Sequence, residues 1–455
     1  MGTVAVIIGL LIIVGVVYLL LKRVETRLVL LGAGFLMCII GFVLGLEGAS
    51  PLVAFNAFST GMANGSFIQT ICSTLGFALV LQLTQCDKHL IYSLARALSK
   101  VRWLLIPGVA IATFCVNNAL PSAAGCAAAV GVIMIPLLMS QGIHPATAAS
   151  AVMLGTIGSN LSPGNAHNVN ISGIITKVIE DGATDIIPMA TMEVIIAHAP
   201  AVIASIIIGA GWLTFRAWKT GENKGYVMEG MDTEHDNFKI NPILAILPLV
   251  PIVLLITFAV ALLNDATLKE TWIGKFSVPH AMRLGAFLCT VFSMAFNKIS
   301  PQEATKKFFD GMGQAYGNVI GLILSAGVFV AGLGSLGLIA AFISAMESSD
   351  SIVKLASTYG PFLLGVASGS GDAATLAFNN AVTPHAMSSF GVAINKMGSV
   401  AAIAGSLGRT MSPLAAAAII CAGIAKVNPF EIAKRNAPGM ILASIATMVI
   451  MFYFV

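Results

Sequence analysis

Two nine-residue phrases hold the side chains best suited to gripping a small polar molecule. "GTIGSNLSP" runs from Gly155 to Pro163 and "GSLGRTMSP" from Gly405 to Pro413. Both have Gly-x-x-Gly and end in Ser-Pro, residues that interrupt a helix and leave backbone donors and acceptors unpaired. The first offers Ser159, Asn160 and Ser162, with Asn165 and Asn168 beyond; the second offers Ser406, Arg409, Thr410 and Ser412. Two polar tips accompany them. "CVNNALPSAAG" carries Asn117, Asn118 and Ser122. "ASGSGDAATLAFNN" carries Ser368, Gly369, Ser370 and Asp372, with Thr375, Asn379 and Asn380 following. Helix N-termini beside small hydroxyls and amides suit a carboxylate, and a guanidinium grips one with two parallel bonds. The alternative is that Ser and Asn only satisfy broken backbone or join helices.

Arg409 stands out because its surroundings are apolar. A charge at the centre of a membrane helix costs at least ~2.5–3.5 kcal/mol, so it usually faces a cavity or a partner. Asp372 is the candidate partner; it would neutralise Arg409, carry a proton or coordinate a cation, and the residues alone leave these open. His167, in "PGNAHNVN", is the one histidine that lies in a polar stretch. The seven cysteines form no CxxC and no zinc-like cluster, so they read as small apolar packing residues.

The elements that must position these residues are membrane helices. The chain has 455 residues, 57% hydrophobic and 10% charged, against about 25% charged in soluble domains. Lipid must therefore be part of its solvent. A net charge of +4, with no interleaved aromatic and basic clusters, argues against a nucleic-acid partner. The first apolar run lacks a basic n-region and a cleavage site, and reads as a retained span. Apolar runs of spanning length occur at about 4–21, 28–46, 66–84, 192–215, 241–263, 278–296, 313–338 and 437–455. Residues 103–139 and 352–386 have arms too short for ordinary crossings and read as re-entrant hairpins. Residues 144–178 and 392–424 read as spans broken by the two phrases.

The expected fold is thus all-α: about ten spans, two re-entrant hairpins and two broken spans. Placing Lys22, Arg23 and Arg27 in the cytoplasm gathers 17 of the 24 basic residues there, including Arg102, Arg216, Lys239 and Arg435. Both termini then lie outside. The outer loops 47–65 and 339–351 carry no basic residue. Residues 1–218 and 241–455 form two inverted repeats, joined by a cytoplasmic linker at 219–240. Such repeats characterise secondary transporters, with the site where discontinuous helices meet. Three amphipathic stretches, Leu90–Lys100, Ser300–Met312 and Asn428–Gly439, are expected along the inner surface. No nucleophile–base pair, metal cluster or phosphate loop favours an enzyme.

The phrase "GSLGRTMSPLAAAAIICAGIAKVNPFEIAKRNAPG" (Gly405–Gly439) resembles the C-terminal signature of the DcuC family of anaerobic C4-dicarboxylate carriers. "FFDGMGQAYGNVIGLILSAGVFVAGLGSLGLIAAFIS" (Phe308–Ser344) and "GSGDA" (Gly369–Ala373) resemble it too, more specifically than Pro121–Gly125 and Ile246–Pro251 in the first half. The resemblance implies the ion-transporter superfamily, with a scaffold, a moving transport domain and usually a homodimer. It implies fumarate, succinate, malate or aspartate as cargo in a bacterial inner membrane. It also makes Gly369–Gly371 and Gly408–Thr410 substrate-facing. Related members often carry Asn where this chain has Asp372, and looser relatives move amino acids or other organic anions. Asp372 would then meet an α-amino group.

The sequence expectation is a secondary carrier of C4-dicarboxylates. Arg409, Thr410, Ser412, Ser368, Gly369, Ser370, Asp372, Asn117, Asn118, Ser122, Ser159, Asn160 and Ser162 are its candidate binding residues. No organic cofactor or bound metal is expected; Na⁺, H⁺ or pure exchange remain open as the driving force. A carrier of an amino acid or another organic anion is the alternative, and a channel stands behind it.

Overall fold

The computed structural model describes residues 2–22, 24–63, 65–101, 104–227, 238–347 and 349–455. Arg23, Arg102, position 103 at the start of the first expected hairpin, and linker positions 228–237 lie outside these. The described residues form helices and no strand. The first half contains α1 (Gly2–Leu21), α2 (Thr26–Val43), α3 (Pro51–Met62), α4 (Gly65–Thr84) and α5 (Cys86–Leu98). It continues with α6 (Leu105–Ala119), α7 (Ala123–Ser140), α8 (Pro145–Gly155), α9 (Ala166–Glu180) and α10 (Thr191–Thr220). The second half contains α11 (Pro242–Ile246), α12 (Val250–Asn264), α13 (Val278–Phe296), α14 (Pro301–Gln314), α15 (Gly321–Ser335) and α16 (Leu338–Glu347). It ends with α17 (Asp350–Ser368), α18 (Gly371–Ala381), α19 (Ala386–Phe390), α20 (Ile394–Thr410), α21 (Ala416–Ala425) and α22 (Pro429–Tyr453).

Seven described helical segments are long and apolar enough to cross a membrane, and α4 with α5, bent by 70°, would be an eighth if the two form one broken span. Their outward faces are greasy. Leu11 and Val14 on α1 and Phe287 on α13 are each more than 60% exposed, which is stable only against lipid.

Packing is reciprocal between the halves. α2 lies on α15 while α13 lies on α4; α3 lies on α15 while α14 lies on α4. α6 packs on α8 as α17 packs on α20, and α7 meets α21 as α18 meets α9. The long helices α10 and α22 pack on each other.

Several expectations change. The stretches read as outer loops contain helices: Ser50 caps α3 by accepting from the Leu52 N–H at 3.2 Å, and α16 fills Leu338–Glu347. Neither is long enough to reveal itself by hydropathy. The amphipathic Ser300–Met312 stretch is α14, which runs through a π-turn at Ala315–Ile320 directly into α15. Asn428–Gly439 is not a separate surface segment, because α22 continues through Pro438 to Tyr453. Nor is its charge all solvated: Arg435 is buried.

Arg435 anchors the linker. Its Nη2 and Nε donate to Glu222 at 2.7 and 3.0 Å, and its Nη1 donates to Glu431 at 2.7 Å. Arg216 and Thr147 also donate to Glu222. One carboxylate therefore ties the ends of α10, α8 and α22 together. Burial works to raise the Glu222 carboxyl, but the bonds from Arg435 and Thr147, with the charge of Arg435, outweigh it and hold the pKa at about 2.

Both interruptions are wedged against their hairpins by glycine. A Cβ on Gly158 would lie 2.1 Å from the Phe114 carbonyl oxygen of α6; one on Gly408 would lie 2.0 Å from the Phe362 carbonyl oxygen of α17. Backbone cannot step aside as a side chain can. Gly158→Ala and Gly408→Ala should each lower thermal stability in detergent by about 1–3 kcal/mol, as overpacking does; unchanged melting would contradict these contacts. Glu222→Gln should cost about 1–3 kcal/mol, because Arg435 loses a buried counterion but keeps Glu431. The Glu222 contribution is full above the ordinary carboxylate value of 4.5 and disappears as pH falls towards about 2. Melting curves between these limits should therefore decline more steeply for the native chain than for Glu222→Gln.

Candidate functional site

The first break is a 3-10 turn, Thr156–Leu161, between α8 and α9. Its freed backbone is satisfied by side chains. Asn117 at the end of α6 accepts the Ser159 N–H at 2.7 Å and donates to the Leu120 carbonyl at 2.9 Å. Asn165 donates to the Ser159 carbonyl at 2.8 Å, and Asn168 donates to the carbonyls of Asn160 and Ser162 at 2.8 and 3.0 Å. Asn165 also caps α9 by accepting the His167 N–H. Each amide thus repairs a place where the α-helical ladder fails.

The second break uses hydroxyls. Thr410 donates to the Ser406 carbonyl at 2.8 Å, and Ser412 to the Val366 carbonyl at 2.7 Å. At the neighbouring tip, Ser368 bonds to Leu364 and Ser370, and Gly369 turns the chain with φ +69°. The tip is tight, since a Cβ on Gly369 would lie 2.7 Å from the Leu414 carbonyl carbon. Ser122 and Ser370 cap α7 and α18 alike, each accepting an N–H three residues on at 3.2 Å.

The two phrases meet each other. Arg409 Nη1 donates to the Thr156 hydroxyl at 3.2 Å, and its Nη2 to the Thr156 carbonyl at 3.0 Å. Ser406 donates to Asn160 Oδ1 at 3.2 Å. All four residues are buried. Thr156 of the first phrase corresponds to Ser406 of the second, and each reaches towards the far end of the opposite copy. That pattern is what a two-fold crossing of like segments produces.

Among the described residues no carboxylate forms an ion pair with Arg409. The candidate Arg409–Asp372 ion pair is absent. Asp372 instead meets His167, with Nε2 and Oδ1 2.8 Å apart. The reason is topological: α18 packs on α9, so the first turn of one faces the first turn of the other. The His167 side chain is 1% exposed, whereas that of Asp372 is 60% exposed. Asn118 Oδ1 and His167 Nδ1 are buried without hydrogen-bond partners.

The sequence-selected residues thus divide. Arg409, Thr410, Ser412, Ser159, Asn160, Ser162 and Asn117 gather at the crossing. Ser368, Gly369 and Ser370 form a tip against the second break, and Asp372 stands beside His167. Ser122 is an exposed helix cap, and Asn118 makes no bond into the crossing. Many of the polar groups thought to await a ligand already hold backbone.

Two residues escaped sequence reasoning. Thr156 sits inside the first phrase, opposite Ser406, and the repetition itself was the signal. His198 was passed over among scattered histidines, yet it is fully buried. Its Nδ1 lies 2.9 Å from the Ser399 hydroxyl and its Nε2 2.9 Å from the Asn160 carbonyl. A histidine two turns into a 30-residue apolar helix was a usable hint. Clefts of about 370 and 440 Å³ lie elsewhere, lined by Val80 and Phe308 or by Ile175 and Ile394.

Known proteins agree with this architecture. The family model described as "C4-dicarboxylate anaerobic carrier" matches residues 4–455. A Haemophilus influenzae protein described only as an uncharacterized transporter is 40% identical over 289 residues, 62% of this chain and 96% of that protein. The anaerobic C4-dicarboxylate transporter DcuC of Escherichia coli K12 is 24% identical, with 97% of this chain and 95% of that protein aligned. The YdaH transporter of Alcanivorax borkumensis shares the fold at a TM-score of 0.60 and 16% identity, over 88% of this chain and 86% of that one. The family and these relatives are transporters rather than enzymes, and a chain matched along nearly its whole length belongs to the DcuC family of bacterial multi-span membrane carriers.

Proposed function

We propose that this protein is a secondary carrier of C4-dicarboxylates such as succinate, fumarate, malate or aspartate, with the anion binding where the two breaks cross. One observation carries the reading. Arg409 is a buried guanidinium held in place by a neutral residue, Thr156, with no ion-paired carboxylate among the described residues. A positive charge that the protein positions without a direct ion pair is a site prepared for an anion. Two guanidinium nitrogens now on Thr156 would turn to one substrate carboxylate, and helix N-termini at Ser370–Gly371 and Ser122–Ala123 would face the other. Thr410, Ser412, Ser159, Asn160 and Ser162 would shape the pocket, with Asn117 bracing the first break. The family and the relative named for C4-dicarboxylates support this choice of cargo.

The reciprocal packing supports an inverted repeat of about ten spans, with α6–α7 and α17–α18 as re-entrant hairpins. Because Arg409, Thr156, Ser406 and Asn160 are buried where the two phrases meet, entry of substrate requires movement. Hairpins and broken spans would shift together past α1–α4 and α12–α15 as scaffold, giving alternating access of the elevator type in an inner-membrane homodimer with both termini outside. The accessible Asp372 favours a second reading on the same fold, in which the cargo carries an amino group.

Arg409→Ala should insert and purify like the native chain but lose labelled-succinate counterflow in proteoliposomes by at least about tenfold, since one charge-assisted pair is worth about 1.5–3 kcal/mol. Arg409→Lys should recover little, because an ammonium cannot make the two-pronged contact. Counterflow at the native rate by Arg409→Ala would end this assignment. Competition by unlabelled aspartate against succinate separates the two cargo readings.

A further inference from the structure

The interfaces α9–α18 and α7–α21 occupy equivalent places in the two halves, yet only one is polar. Between α9 and α18, His167 meets Asp372 at 2.8 Å, and Asn170 donates to Asn380 at 2.9 Å. The repeated phrases place Ala417 opposite His167 and Ile420 opposite Asn170. The matched capping serines Ser122 and Ser370 place Ala124 opposite Asp372 and Val132 opposite Asn380. All four counterparts are apolar. Architecture alone therefore does not require the polar set, since the same helix contact is made without it.

The pair has a particular construction. His167 is nine-tenths buried and more, and its Nδ1 has no hydrogen-bond partner. A proton on Nε2 lies between the ring and the Asp372 carboxylate in either charge state, and a second proton on the ring turns that contact into an ion pair. The Asp372 side chain it touches is 60% exposed, so the pair is not sealed within the protein.

The other titratable groups facing α9 do not duplicate it. His198 on α10 has both nitrogens engaged, by Ser399 and Asn160. Cys72 on α4 donates to the Met312 carbonyl. Tyr316 of the π-turn packs among apolar neighbours. Arg409 on α20 is a fixed cation. Glu193 on α10 and Lys396 on α20 sit in the first turns of their helices, and His385 lies in the turn after α18.

We infer that His167 and Asp372 form the proton-coupling site of the carrier, taking up one proton together with the anionic substrate; this rests on the dicarboxylate reading above. Without that proton the fixed charges of Arg409 and Asp372 cancel and the cavity has no net attraction for an anion. With it, the cavity carries one net positive charge. No bond is made or broken in the substrate: the proton moves from water onto the imidazole and is released on the far side with the anion.

The test uses purified protein in vesicles loaded with a pH-sensitive dye, with labelled succinate as probe. An inward succinate gradient should acidify the lumen. Uptake should fall about tenfold per pH unit once the pair has lost its proton, as one required proton dictates. His167→Gln and Asp372→Asn should each flatten that profile and abolish the acidification. Asn170→Ala, which disturbs the same helix contact, should keep the native profile. Native protein that moves succinate without protons would overturn the inference, as would a native pH profile in His167→Gln. So would a His167→Gln variant altered only in thermal stability, which would make the pair a helix clip. If the native chain shows no succinate counterflow at all, the dicarboxylate reading fails instead, and proton uptake with aspartate as probe then decides the coupling role.

Discussion

Interrupted helix at bilayer depth must find its hydrogen bonds inside the protein, and the rest of this structure follows from that constraint. The two Gly-x-x-Gly…Ser-Pro phrases each open the backbone. Asn117, Asn165 and Asn168 close the gaps in the first half, and Thr410 and Ser412 do so in the second. Glycines 158 and 408 bring the breaks hard against α6 and α17, so that each is supported by a hairpin as well as by side chains. A polar centre with this degree of internal satisfaction can sit in lipid without water to stabilise it.

Against that saturated background two residues are exceptions. Arg409 is held by hydrogen bonds without a direct ion pair among the described residues, and His167 is held against a carboxylate but left with an orphan nitrogen. Both lie where one half of the chain touches the other. A rigid-body movement that shifts hairpins and breaks together would carry these groups as a set. The Glu222–Arg435 network plays a complementary part at the edge, tying the linker to α8, α10 and α22 through one carboxylate.

The element order shows how far repetition organises the chain and where it stops. The helix pairings are reciprocal in the two halves, but the side chains are not: Arg409 answers Ser159, Asp372 answers Ala124, and His167 answers Ala417. Reciprocal helix pairing brings equivalent elements together, and the side chains that differ give the two halves different charge where they meet.

Composition and run length determined by themselves that the chain is a helical membrane protein, because a tenth of charged residues cannot cover a soluble surface. The paired phrases determined where helices break, since Gly and Pro act locally. The resemblance of the second half determined the family. Short helices α3 and α16 stayed hidden, because no periodic signal survives in ten or twelve mixed residues. Partner choice also stayed hidden. Sequence could name Arg409 and Asp372 as buried charges, and only the packing of α9 on α18 and of one break across the other assigned Asp372 to His167 and Arg409 to Thr156. Distances of 200 residues or more along the chain separate those partners. Local patterning has no knowledge of which distant helix will lie alongside; that is decided when apolar faces, close-packed glycines and the need to pair every backbone group are satisfied together.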